Sequence, residues 1–205
     1  MGRWLGAHER SAGDVYGCLP EIEFRLADAH ALPFETGAFD AVLCGLALSH
    51  FNEPLGALGE AVRVLRGDGR FVASTWGRGG GIPSSGTVVE ILQRHGAQDK
   101  GYTLDEETWL RPETGSEMLR RAGFASVSVE TQTFTGRFAD AEEALDWTLA
   151  WPCGSARLAR LGASAREAFL ADAREALADS DLSCTLVFNL YVADKGAARE
   201  VAARS

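Results

Sequence analysis

Apolar residues along the chain fall into runs of two kinds. One kind is continuous or alternating, as in a strand; the other recurs at spacings of three and four, as in an amphipathic helix. Residues 22–29, IEFRLADA, read as a strand with a polar end. Asp40 to Leu48, DAVLCGLAL, is nearly all apolar, the pattern of a central parallel strand covered on both faces. The connection between them, His30 to Phe39, is too short for a helical crossover. A helix follows from Pro54 to Arg66, with Leu55, Leu58, Val62 and Leu65 on one stripe. Arg66-Gly67-Asp68-Gly69 supplies turn residues to end it, and RFVASTW at 70–76 is the next strand. A glycine-rich loop comes next, then a helix from Thr87 to His95 and a polar, loop-like stretch over 96–107. Pro112 to Ala122 has proline in its first turn and Gly123 just past its end, the marks of a complete helix. Residues 125–134 alternate as a strand, Asp140 to Trp151 and Arg157 to Ala178 read as helices, the second in two pieces, and Leu182 to Ala193 as a last strand.

This order predicts an α/β fold with a largely parallel sheet whose last strands run antiparallel. Such sheets bind ligands at the carboxyl ends of their strands. That rule selects Asp28 to His30, Gly45 to His50 and Trp76 to Gly81.

Composition narrows the function. A chain of 205 residues suits one domain, and 46% apolar residues rule out wholesale disorder. The net charge is −9, from 20 basic and 29 acidic residues. Bulk charge therefore gives no basis for a nucleic-acid partner, because phosphate affinity rests on Lys and Arg. No apolar run is long enough for a membrane span, and MGRWLGAHERS lacks the apolar core of a signal peptide, so the expected location is cytoplasmic. The cysteines, at 18, 44, 153 and 184, show no metal-ligand spacing.

The most specific string runs from Asp28 to Trp76. Asp28-Ala29, Leu32-Pro33-Phe34, Phe39-Asp40, Val42, Leu48, His50 and the stretch from Glu60 to Gly69 together resemble the second half of the cofactor domain of class I S-adenosylmethionine-dependent methyltransferases. The similarity is to the branch that includes ubiquinone and menaquinone methyltransferases. The chain departs from the pattern where Gly67-Asp68-Gly69 stands in place of Pro-Gly-Gly. The resemblance implies S-adenosylmethionine as cofactor. It puts Asp28 on the adenine amino group, Ala29 with its backbone N–H toward the ring, and Gly45 and Leu46 beside the ribose and methionine. Each has a plainer reading; Asp28 also suits a strand-end cap. His50 is the candidate base, or a packing residue at a helix start. Asp40 reads as a structural strand-start residue, and Glu60 with Arg63 as a structural pair. Trp76, Trp109, Trp147 and Trp151 are candidates for an apolar substrate pocket, and as a set they equally suit the core or an interface.

The resemblance also implies a missing part. The family's first strand, its glycine-rich loop and its second strand should precede Asp28, yet one strand–helix–strand unit alone takes roughly 30 residues and residues 1–27 show no G-x-G spacing. Gly77-Arg78-Gly79-Gly80-Gly81 fits such a loop superficially, but its position matches a mobile substrate-side loop instead. The expectation is thus a Rossmann-like methyltransferase sheet without its first strands. Residues 1–21 form an irregular arm, 22–205 a partial domain, and about 139–180 a helical insertion that covers a small-molecule substrate. A late start site, a shortened protein that forms a homodimer through the exposed sheet edge, and a protein that has lost the cofactor all account for the shortfall. The corresponding functions are methyl transfer to a small metabolite, a cyclisation or rearrangement without methyl transfer, and non-catalytic partnership with a full-length methyltransferase.

Overall fold

The computed structural model describes residues 23–97 and 106–196. In chain order its elements are β1 (Phe39–Gly45), a single 3-10 turn (Leu48–His50), α1 (Pro54–Val64), β2 (Leu65–Trp76), α2 (Pro83–Arg94), α3 (Glu106–Leu110) and α4 (Pro112–Arg121). Then follow β3 (Ser126–Arg137), α5 (Ala141–Ala150), α6 (Pro152–Leu158), α7 (Ala163–Ala178) and β4 (Ser183–Asp194). The fold is α/β, with one four-stranded sheet in the order β1-β2-β4-β3. Only β1 and β2 are parallel; β4 runs antiparallel to both β2 and β3, so the sheet is less parallel than expected.

Helix ends follow local chemistry. Pro54, Pro83 and Pro112 each stand in a first helical turn, where a missing N–H costs nothing. Pro83 starts α2 four residues ahead of the predicted start. Asp140 caps α5 by accepting from Glu143 N at 2.9 Å, while Glu143 Oε2 reaches back one residue past the cap to accept from Ala139 N at 2.6 Å, a variant of the capping box. Gly123, at φ 110°, closes α4 in a conformation that L side chains resist.

The main core lies on one face of the sheet. Leu58 and Ala61 of α1, Trp109 of α3 and Leu119 of α4 pack there on Phe71, Ala73, Tyr191 and Ala193. A second core joins α2, α5 and α7 through Ile91, Leu92, Leu145, Phe169 and Leu177. The opposite sheet face carries Leu43, Val72 and Val192 in adjacent register, and none of the three belongs to a core cluster.

Several expectations need correction. Residues 23–27 form no strand; with no neighbouring strand to take their hydrogen bonds they run irregularly to an isolated bridge between Asp28 and Ala31. The run after Asp40 is an edge strand among the described residues, not a central one. It pairs with β2 alone, and Leu43 is 78% exposed. Arg66 to Gly69 does not separate α1 from the next strand. Phe39 pairs with Leu65 and Ala41 with Arg70, so the four turn residues bulge out within β2. Arg66 holds that bulge through ion pairs to Asp40 and to Asp68, which gives Asp40 its structural role. The predicted arm at 1–21 lies outside the described residues. Three helices, α5 to α7, stand between β3 and β4.

Candidate functional site

Two groups of residues stand out, one packed against the start of α1 and one at the end of β2. The first is the turn after residue 27. Ala31 N donates to Asp28 O at 3.0 Å, and Asp28 Oδ1 accepts from His30 N at 2.9 Å and pairs with His30 Nδ1 at 2.8 Å. The bond from the His30 backbone, then that from its ring, holds the Asp28 carboxyl below its ordinary value. His30 Nε2 reaches Glu53 O, 3.1 Å away at the start of α1. Asp28 Oδ2 has no hydrogen-bond partner among the described residues.

A clamp from α1 fixes the segment that follows. Arg63 donates to Phe34 O at 2.7 Å, to Leu32 O at 2.9 Å and to both oxygens of Glu60. Glu60 Oε2 accepts in turn from Leu32 N at 2.8 Å. The Arg63 guanidinium, with the Leu32 N–H, pulls the Glu60 carboxyl down to about 2. Glu60 and Arg63, read from sequence as a structural pair, therefore do more than pair: they carry the Leu32-Pro33-Phe34 segment. Their spacing showed the pair, but a sequence does not show which carbonyls a guanidinium will meet.

At the end of β1, Gly45 pairs with Ser74 and Leu46 adopts φ 50°. Leu46 is the non-glycine residue with positive φ among those described. Such a conformation costs of order 1–3 kcal/mol and persists where surrounding bonds enforce it. Here Leu46 N donates to Ser74 O at 3.0 Å and to Ser74 Oγ at 3.2 Å. The strain falls on Leu46, which the resemblance expects beside the cofactor. His50 is exposed at the end of the 3-10 turn and lies outside the cavity described next.

The second group encloses a cavity of about 340 Å³ at the end of β2. Trp76, Trp147 and Trp151 form its aromatic wall, with ring centroids 5.5 Å apart for Trp76–Trp151 and 5.8 Å for Trp147–Trp151. Trp76 also stacks on Phe188 at 4.9 Å. Ile82, Val89, Leu110 and Val187 add apolar wall. No titratable side chain lines it among the described residues. The glycine-rich loop closes one side and is stitched to β4: Gly77 N donates to Val187 O at 2.7 Å, and Gly81 exchanges both backbone bonds with Thr185. A loop held in this way is part of the wall rather than a mobile element.

Trp109 is the exception among the tryptophans. It is 1% exposed and sits in the main core, its ring edge-on to Tyr191. The reason is a buried polar hub behind it. Thr75 Oγ1 and Asn189 Nδ2 both donate to Trp109 O at 3.0 Å, and Asn189 Nδ2 also reaches Leu110 O at 3.3 Å. Thr131 Oγ1 donates to Asn189 Oδ1 at 2.8 Å. That hub draws the end of α3 inward, which buries Trp109 and leaves Leu110 to face the cavity.

The comparisons with known proteins agree with this architecture. Residues 6–73 match the family model described as a methyltransferase domain. A demethylmenaquinone methyltransferase of Clavibacter sepedonicus is 33% identical over 129 residues, covering 58% of this chain and 51% of the relative. One from Renibacterium salmoninarum is 37% identical over 75 residues, covering 37% of this chain and 32% of the relative. The matched stretches thus span about half or less of these curated relatives. The YcgJ protein of Bacillus subtilis superposes with a TM-score of 0.53 at 18% identity, over 91% of this chain and 76% of that one, which supports the fold.

Fold and sequence are both similar to those of methyltransferase domains. Residues 6–73 match the methyltransferase domain family model, and the resemblance to its menaquinone-like branch rests on the stretches shared with the demethylmenaquinone methyltransferases. The resemblance points to S-adenosylmethionine as the cofactor. The residues present fit that group: Asp28 Oδ2, without a partner among the described residues, can accept from the adenine amino group, and a Cβ built on Gly45, on the ribose and methionine side, would meet only Ser74 Oγ at 4.0 Å among the described residues. No glycine cradle for its methionine end occurs among the described residues. No helix described is long and apolar enough to cross a membrane, and no group of residues there could hold a metal ion.

Proposed function

We propose that this chain is an S-adenosylmethionine-dependent methyltransferase domain acting on a small, apolar or aromatic metabolite held in the tryptophan-walled cavity. The observation that carries this reading is the placement of that cavity and of Leu46 at the carboxyl ends of neighbouring parallel strands. The cofactor, when bound, supplies an activated methyl group on a sulfonium. Asp28 Oδ2 accepts from the adenine amino group, the backbone at Ala29 faces the ring, and Gly45 and Leu46 line the ribose and methionine side. Trp76, Trp147 and Trp151 hold and orient the acceptor and exclude water. With no base among the described residues of the cavity wall, the domain works by approximation and orientation, which are worth about 7–11 kcal/mol in well-aligned reactions. Calorimetry with S-adenosylhomocysteine tests the cofactor half: saturable heat is expected, and its loss in Asp28→Ala. A chain that gives no heat refutes this half of the reading.

A second observation concerns assembly. β1 has an unpaired edge among the described residues and exposes Leu43 beside it. We infer that β1 pairs with a second copy of the chain, since a bare edge with an apolar neighbour is a template for pairing. Sedimentation across a concentration series is expected to show a dimer.

A further inference from the structure

The cavity wall is largely apolar and carries three side-chain hydroxyls among the described residues, those of Ser85, Thr148 and Thr185, of which the first two are paired. Ser85 of α2 and Thr148 of α5 both line the cavity, with Ser85 Oγ and Thr148 Oγ1 2.7 Å apart. Thr148 Oγ1 also lies 3.0 Å from Ala144 O, the carbonyl one turn back in its own helix. Each hydroxyl has one proton and two acceptor sites. One arrangement gives both protons a partner inside the protein: Thr148 donates to Ala144 O, and Ser85 donates to Thr148. The reverse sense, Thr148 donating to Ser85, leaves the Ser85 proton facing an apolar cavity, where an unpaired donor costs about 1–3 kcal/mol. The relay therefore runs from Ser85 to Thr148 to Ala144. Ser85 Oγ then presents lone pairs, and no proton, to whatever enters.

We propose that Ser85 makes the cavity selective for an uncharged planar ring that brings a hydrogen-bond donor, an O–H or N–H, and that it discriminates against the same ring bearing only acceptors. This rests on the reading of the cavity as the acceptor-substrate site. The three tryptophans supply the platform for a flat ring, through stacked or edge contacts. The absence of a titratable side chain in the described wall disfavours a charged ligand, whose desolvation nothing there would offset. Thr185 also lines the cavity, but nothing in the wall fixes the direction of its hydroxyl. Discrimination thus falls to Ser85, whose proton is committed.

Three probes of one shape test this through quenching of tryptophan fluorescence: 2-naphthol as donor, 2-methoxynaphthalene and 2-acetylnaphthalene as acceptors. The wild-type protein is expected to bind 2-naphthol about 2- to 12-fold more tightly than either acceptor, the range one neutral hydrogen bond yields. Ser85→Ala abolishes the preference. Thr148→Val, close in shape, frees the Ser85 proton and improves binding of 2-acetylnaphthalene relative to wild type. Equal binding of the three probes by the wild type, tighter binding of an acceptor probe, or a naphthol preference that survives Ser85→Ala overturns the proposal while leaving the cavity reading standing. Failure of all three probes to bind overturns the cavity reading and the proposal with it.

Discussion

Gly115→Ala sets two physical effects against each other. Gly115 is buried in α4, where alanine in place of glycine ordinarily gains about 1 kcal/mol. A Cβ there would stand 2.2 Å from Tyr191 Oη, 2.7 Å from Cζ and 3.0 Å from Cε1, well inside contact distance. Tyr191 cannot easily move away, because it is fully buried between Trp109 and the rest of the main core. Overpacking of a closed core costs about 1–3 kcal/mol. A displacement this large belongs at the upper end, so the net expectation is a loss of about 2 kcal/mol against the helix gain. Urea unfolding reads this as a midpoint lowered by roughly 1 M with an unchanged slope. The Tyr191 hydroxyl has no hydrogen-bond partner among the described residues, and burial pushes its pKa up, with nearby Thr75 and Asn189 partly offsetting the shift. Tyr191→Phe therefore removes the closest atom at little cost of its own. In that background Gly115→Ala is expected to cost less than in the wild type. A Gly115→Ala protein as stable as wild type, or an equal cost in both backgrounds, refutes the argument from close approach.

The other predictions concern the turn, the clamp and the edge. Because the Glu60 carboxyl is held near 2 in the folded chain, against 4.5 ordinarily, its stabilising share is complete above about 4.5 and is lost as pH falls toward 2. Glu60→Gln should therefore flatten the acid limb of stability in that window, and an unchanged limb would contradict the clamp. His30→Asn keeps a donor for Asp28, whereas His30→Gln keeps one for Glu53 O; if His30 serves to aim Asp28, affinity for S-adenosylhomocysteine survives the first and falls in the second. Leu43→Lys puts a charge beside the free edge of β1 and should shift sedimentation toward monomer, with an unchanged distribution counting against pairing there.

How much of this was legible beforehand depends on what each residue answers to. Helices with proline at the start and glycine beyond the end, such as α4, announce themselves, since those signals act within one turn. Strands answer to neighbours. IEFRLADA has strand composition but finds no partner in the described sheet, and the run from Asp40 reads as covered on both faces although one face stays open at Leu43. The tryptophans show the same limit. Trp76 at the end of β2, Trp147 in α5 and Trp151 at the junction of α5 and α6 meet at the cavity, whereas Trp109 is drawn into the core by carbonyl bonds to Thr75 and Asn189. The Ser85–Thr148 pair carried no signal at all, because two common residues 63 positions apart acquire meaning only when α2 and α5 pack.

Asn189 does one thing more than bind carbonyls. In β4 it stands between Thr75 of β2 and Thr131 of β3, while its neighbour Phe188 stands between Trp76 and Gln132 on the other face. A slip of β4 by one residue would exchange the two, setting a phenyl ring among buried amide and hydroxyl groups and an amide against Trp76. The alternation of valine, leucine and tyrosine along β4 tolerates such a slip on grounds of hydrophobicity alone; the single amide does not. Asn189 thus acts as a key cut for one alignment of three strands, and the shape of the cavity above Leu110 inherits its accuracy from that alignment.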